Sequence, residues 1–247
     1  MQRRQLVAAA GEGMAMPSVI NLNFVNRSSD AGNSHIVIFQ QQPGPPAHTL
    51  RFHNNSGTTQ TFVCFQTSGS KPAGLAPAWF AMPVATGVEV NFTWQPSYDL
   101  VWMETGQLAE GVQFTASQVV PATLGTENKI ELTYSEGAFA FNAQGPAQMT
   151  NQLQILCDGT IPPNTVSVGI GMAGSPIEVM QAASNMNFVF TPLANYWVTL
   201  ADVTQGEIMD LSRLTSSARV VFPPNVTAMT ATINVDQSWT IQQGLVV

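Results

Sequence analysis

The chain has 247 residues, of which 45% are apolar and only 9% are charged, and its formal net charge at pH 7 is −7. This length allows one large all-β domain or two small ones. Eight Lys and Arg residues without a basic cluster argue against a nucleic-acid partner, and no apolar run is long enough for a transmembrane segment. The low charge fits either a protein of a secreted or crowded environment or one that packs against copies of itself.

Residues 1–17 form a predicted N-terminal arm with a basic start and a short apolar piece. The apolar piece is shorter than the roughly 7–15 residues that a secretory signal needs, so the localisation stays open between the cytoplasm and export by a non-standard route. A loose terminus is favoured, because chain ends are usually poorly ordered. The alternative is an assembly arm that docks on a neighbouring copy through Gln5, Leu6, Val7, Ala8, Ala9 and Ala10.

Apolar and polar residues alternate along most of the remaining chain, which is the pattern of half-buried β-strands. The clearest run spans residues 88–118 and contains two of the five tryptophans. Only residues 207–214 have the pattern of a short helix. The predicted strands are 20–24, 36–39, 50–52, 62–65, 88–94, 98–102, 112–116, 130–134, 139–141, 153–157, 166–172, 177–179, 186–190, 196–200, 220–222, 229–235 and 239–241. The sequence therefore predicts an all-β fold of antiparallel β-sandwich architecture.

Two similar sequence segments indicate an internal repeat. NFTWQP at residues 91–96 and NFVFTP at residues 187–192 are both apolar strands closed by proline. Two half-units of about 100 residues each fit the size of a β-sandwich. The predicted domain limits are 18–145 and 146–247, because the segment around the boundary has the weakest pattern of the chain.

Three further segments resemble one protein family. DLVWMETGQLAEGVQFTASQ (99–118), CDGTIPPNTVSVGIGMAGSP (157–176) and VVFPPNVTAMTATINVDQSWTI (220–241) are similar to the RhiA-like family of bacterial proteins. The resemblance covers residues 18–243 and omits the N-terminal arm. It implies a bacterial source, expression tied to community or host-associated life, and an uncharacterised role. It carries no catalytic residue to this chain.

The polar residues that chemistry needs are sparse. Of the three histidines, His48 and His53 flank one predicted strand at a spacing that puts them on opposite faces, so they should not share a metal. Asp99 and Glu104 lie beside Trp102, and acidic side chains on the solvent face of a sheet are favoured over a hydrolytic pair. We therefore predict no catalytic residue, no cofactor and no metal.

Two other motifs have a structural and a functional interpretation. GIGMAG at residues 169–174 has the form G-x-G-x-x-G, but it lies inside an alternating strand, which favours close backbone packing or a bulge over a nucleotide site. Cys64 and Cys157 lie in apolar segments, which favours two buried thiols over a disulfide.

Trp79 and Phe80 follow a Gly/Pro/Ser-rich loop. Return of the chain to the core is favoured for this pair. An exposed pair would instead contact a sugar, a lipid headgroup or another subunit.

These features favour a non-enzymatic protein that self-associates into a homo-oligomer or larger assembly, with copies of itself as the partner. The alternative is a carbohydrate-binding, lectin-like module with a glycan bound at Trp79 and Phe80. An enzyme has the least support, since no nucleophile, metal or cofactor motif is found.

Overall fold

The computed structural model describes residues 46–67, 71–192 and 195–245. This part of the chain is built almost entirely from β-strands, as predicted, and has one short 3-10 turn at Leu211–Arg213. The strands are β1 His48–Asn54, β2 Gln60–Gln66, β3 Leu75–Pro77, β4 Phe80–Val84, β5 Glu89–Trp94, β6 Tyr98–Met103, β7 Gln118–Ala122, β8 Lys129–Ser135, β9 Ala138–Gly145, β10 Leu153–Cys157, β11 Ser167–Met172, β12 Ser175–Gln181, β13 Asn187–Phe190, β14 Tyr196–Leu200, β15 Ile208–Asp210, β16 Ser217–Val220, β17 Ala228–Ile233 and β18 Trp239–Gln243.

Sixteen of these strands form four sheets of four strands each. Sheet I has the order β18-β17-β1-β5, sheet II β16-β14-β2-β4, sheet III β12-β11-β6-β7 and sheet IV β13-β10-β8-β9. Neighbouring strands are antiparallel except for two central pairs, β1 with β17 and β8 with β10, which are parallel. The all-β prediction is confirmed, and the two parallel pairs are a feature that the alternation of residues did not reveal.

The sheets pack in pairs to make two sandwiches. Sheet I covers sheet II, where the rings of Phe52 and Phe62 lie 4.9 Å apart between β1 and β2. Sheet III covers sheet IV, where Trp102 of β6 contacts Phe139 of β9 at 5.6 Å. The inward residues of both sandwiches belong to one continuous cluster of buried apolar side chains. Alternation along each strand places this cluster between the paired sheets.

The remaining strands, β3 and β15, form a two-stranded ribbon that covers the outer faces of sheets II and III. Met209 of the ribbon packs with Val63 and Phe65 of sheet II. Ile208 packs with Val101 and Val179 of sheet III. Sheets II and III are therefore apolar on both faces, which explains why β2 and β6 read as nearly continuous apolar runs.

Every four-stranded sheet combines strands from both sides of residue 146. In each sheet the two central strands come from opposite sides: β1 with β17, β2 with β14, β6 with β11 and β8 with β10. Residues 43–247 form one compact unit. The predicted limits of 18–145 and 146–247 therefore do not separate two compact units. The weakly patterned segment at residues 146–152 is an exposed loop. It resembles a domain boundary in the sequence because local pattern does not show which strands pair across it.

Several predicted elements differ in detail. Residues 112–116 form no strand, and only Gln113 makes an isolated bridge, to Glu207. The predicted helix at 207–214 is the strand β15 followed by the 3-10 turn, in which Asp210 accepts a hydrogen bond from the backbone N–H of Ser212. Tertiary pairing with β3 overrides the helical pattern. The arm and the strands predicted at 20–24 and 36–39 lie outside the described residues.

The part of the chain that the structure describes contains no helix of the length and apolarity needed to cross a membrane.

Candidate functional site

Trp79 lies in the core and not on the surface. Its side chain is fully buried, and its indole N–H donates a hydrogen bond of 2.9 Å to the backbone carbonyl of Met172. Its ring is 4.3 Å from Phe80 and 5.0 Å from Trp94. The hypothesis of an exposed pair is therefore wrong for Trp79, because the chain returns to the core directly after the loop. Phe80 is half-buried and packs against the same cluster.

The aromatic cluster extends from Trp79 to Trp94 and Tyr196. Tyr196 stacks on Trp79 at 5.9 Å, and its hydroxyl accepts a hydrogen bond of 3.4 Å from Trp94. Burial raises the pKa of Tyr196 to about 12, so its hydroxyl stays protonated at neutral pH. The rings of His48 and Phe222 close the cluster, 4.5 Å apart.

The two histidines of β1 point to opposite faces of sheet I, as predicted. His48 faces the aromatic cluster, whereas His53 is on the other face of the strand, opposite Glu89. The Nδ1 atom of His48 is buried and has no hydrogen-bond partner among the described residues. Burial lowers the pKa of His48, which favours the neutral imidazole. In residues 46–67, 71–192 and 195–245, no three His, Cys, Asp or Glu side chains are grouped as metal ligands.

Two of the acidic residues near Trp102 in the sequence, Asp99 and Glu110, have different partners. Asp99, on β6, accepts a hydrogen bond of 3.3 Å from the backbone N–H of Gly174, and burial is the main reason why its pKa is raised. Glu110 forms an exposed ion pair with Arg213. Glu104 is exposed at the end of β6. Asp99 and Glu110 are thus placed by contacts in different parts of the fold.

Cys64 and Cys157 are buried free thiols, which confirms the interpretation favoured from the sequence. They lie on β2 and β10, in different sandwiches. Burial raises the pKa of both thiols, that of Cys157 to about 12. Neither is a reactive thiolate at neutral pH.

The glycine-rich segment 169–174 serves close backbone packing. Gly169 lies on β11 opposite Val179 of β12, and a Cβ on Gly169 would lie 2.2 Å from the carbonyl oxygen of Glu178. The pairing of β11 with β12 shifts register between Ile170 and Gly171, which is a bulge. This confirms the structural interpretation of the motif.

Replacing Gly169 with alanine should lower the free energy of unfolding by about 1–3 kcal/mol, because the new methyl group can be accommodated only if β11 and β12 separate. Urea denaturation followed by tryptophan fluorescence would measure the change. Gly145→Ala is the matched control, since a Cβ at Gly145 meets nothing within 4 Å. Equal stability of the two variants would contradict the packing role.

The sheets are open, and each ends in two edge strands, whose outward N–H and C=O groups can pair with another chain. Most edges carry a feature that hinders such pairing. Proline occurs in β4, β7 and β12, and a charged residue in β5 and β16, at Glu89 and Arg219. The side chain of Gln118 accepts the hydrogen bond of the Phe141 N–H on β9. Neither proline nor charge occurs in β13 or β18.

Sequence reasoning missed the edge strands β4 and β7 because Pro83 and Pro121 interrupt their patterns. Proline is tolerated where the backbone N–H faces away from the ladder, so it is compatible with an edge strand. The available signal was the position of each proline between apolar residues, with a turn on either side.

The architecture defines an all-β protein of two packed sandwiches whose sheets have open edges. The chain belongs to the RhiA family, because the family model described as RhiA matches residues 45–244. Protein RhiA of Rhizobium leguminosarum bv. viciae is 32% identical over 210 residues, which are 81% of this chain and 90% of that protein. No solved structure matches the chain. The family resemblance predicted from three sequence segments is thus confirmed.

Proposed function

We propose that this chain is a non-enzymatic protein that self-associates into a homo-oligomer or a larger assembly. The observation that carries the proposal is the set of open sheet edges in a protein with very few charges. Only 9% of the residues are charged, and the described residues form just two ion pairs. Repulsion between copies is therefore weak, and backbone groups at the edges can pair with another chain.

Exposed apolar side chains support the same proposal. Several lie on or beside edge strands, among them Met82, Val119, Met180 and Val189, each more than two-fifths exposed. Single exposed apolar residues are common on monomers, but at a sheet edge they add buried area to a backbone pairing. A contact between copies would cover both the open backbone groups of an edge strand and these apolar side chains.

The N-terminal arm is the second element of the proposal. We infer that residues 5–10 add to a sheet edge or groove of a neighbouring copy. Deleting residues 1–16 should then lower the assembly mass at least two-fold in size-exclusion chromatography with light scattering. Deleting only residues 1–4 is the control, because it keeps Gln5 to Ala10. An unchanged mass after the longer deletion would contradict the role of the arm.

We also infer an internal duplication of an eight-strand unit. In the first unit, β1, β2 and β4 to β9 correspond in order to β10 to β14 and β16 to β18 of the second unit. The correspondence is supported by pairing: the parallel pair β1–β17 matches β10–β8, and the antiparallel neighbours β5 and β13 match in the same way. The two strands left over, β3 and β15, pair with each other.

Residue registers agree with this correspondence. Phe92 lies opposite Leu50, whose parallel partner is Met229. Phe188 lies opposite Ile155, whose parallel partner is Ile130. An experimental structure in which the two eight-strand units fail to superpose in this register would contradict the duplication.

A further inference from the structure

The edge strand β13 combines three properties that suit pairing with an identical strand. It carries no proline and no charged residue, and Val189 at its centre is 47% exposed. The surrounding segment 179–201 contains no Asp, Glu, Lys or Arg. Two copies can therefore approach through this segment without placing like charges of the segment opposite each other.

The backbone of β13 presents hydrogen-bonding groups away from its sheet. The Cys157 N–H donates a hydrogen bond of 2.8 Å to the Met186 carbonyl, just before the strand. Because hydrogen-bonded and non-hydrogen-bonded pairs alternate in an antiparallel ladder, Phe188 and Phe190 are bonded to β10. The N–H and C=O groups of Asn187 and Val189 consequently point to the open edge.

We propose that β13 pairs antiparallel with β13 of a second copy, with the two-fold axis at Val189. This inference rests on the proposed self-association and names its contact surface. In this register the two Val189 residues exchange backbone hydrogen bonds, and their exposed side chains meet on the outer face of the joined sheet. Asn187 pairs with Thr191 of the second copy, and Pro192 ends the run because it has no N–H.

The same register joins the inward faces of the two sheets. Phe188 is 3% exposed and Phe190 is 1% exposed, and each comes opposite the other residue of the second copy. Sheet IV then continues across the axis as a sheet of eight strands. Exposed Met186 directly precedes β13 and supplies a flexible apolar contact beside the joint.

The test uses the full-length protein and one lysine at a time. Val189→Lys places two like charges opposite each other at the axis, and we expect the mass in sedimentation velocity to fall at least two-fold. Val235→Lys adds the same charge to an exposed turn outside the edge strands and should leave the mass unchanged. Circular dichroism and thermal melting check that both variants are folded.

A cysteine variant gives a second, positive readout. Under mild oxidation Val189→Cys should form a disulfide-linked dimer on a non-reducing gel, because facing residues in such a ladder lie within disulfide reach. Val235→Cys, in an exposed turn outside the edge, should not. The two native cysteines are buried and give little background.

The outcomes separate the two proposals. A monomeric wild-type protein at all concentrations would overturn self-association and this contact together. An assembling wild type, with no loss of mass for Val189→Lys and no crosslink for Val189→Cys, would overturn only the β13 contact. If the lysine variant fails to fold, the presence or absence of the cysteine crosslink decides the question.

Discussion

Replacing Trp79 with alanine is expected to lower the free energy of unfolding by about 3–5 kcal/mol, the usual cost of removing a large buried aromatic side chain. The side chain has no exposed surface and contacts Phe80, Trp94 and Tyr196. The carbonyl of Met172 would also lose its hydrogen-bond donor, and an unpaired buried acceptor adds to the cost. Urea denaturation at equilibrium measures the change.

Two further variants make this measurement specific. Trp79→Phe keeps a ring in the cluster but removes the N–H, so its loss of stability should be clearly smaller. Val235→Ala removes apolar atoms from a side chain that is 72% exposed and should change stability by less than about 0.5 kcal/mol. If Trp79→Ala unfolds at the same urea concentration as the wild type, the result would contradict the central position of this tryptophan in the core.

Separating the chain between residues 148 and 149 is expected to abolish folding of each piece, whereas the two pieces together should form a folded 1:1 complex. The reason is that all four central strand pairs, from β1–β17 to β8–β10, join residues before the cut to residues after it. Each piece alone would hold only half-sheets with exposed apolar faces. Co-expression with an affinity tag on one piece, followed by circular dichroism, measures both results.

The control is a full-length chain with a protease site inserted between Gln148 and Met149, two exposed residues. Cleavage after folding should leave both pieces in one complex. A piece that folds alone, with a cooperative unfolding transition, would instead support independent units on either side of residue 146.

The sequence predicted the strands well where one face is buried. In β5, Phe92 and Trp94 are buried and alternate with exposed Asn91 and Thr93, so the local pattern is sufficient. It failed at Val112, where the alternation belongs to an irregular segment that packs on sheet III. There the backbone pairs only over a few residues with the start of β15, where the Ile208 N–H donates to the Val112 carbonyl and the Phe114 N–H donates to the Gly206 carbonyl, so no regular ladder forms.

The pairing of strands was not predictable from local pattern. Nothing in the alternation around Leu50 indicates that its parallel partner is Met229, 179 residues further on. The burial of Trp79 was equally inaccessible, because it depends on β11, whose Met172 carbonyl accepts the indole hydrogen bond. For the candidate site, the sequence analysis predicted a surface of low charge but did not single out residues 179–201, because only the topology places β13 at an edge.

The parallel pairing of β1 with β17 has a consequence for biosynthesis. A ribosome releases β1 long before it has made residues 228–233, so β1 is without its parallel partner during most of translation. The nascent chain accordingly holds unfinished sheets until its last part emerges, and long-range pairings of this kind form slowly. Unfinished sheets expose apolar faces and unpaired edges, so protection by chaperones during synthesis is advantageous for such a chain.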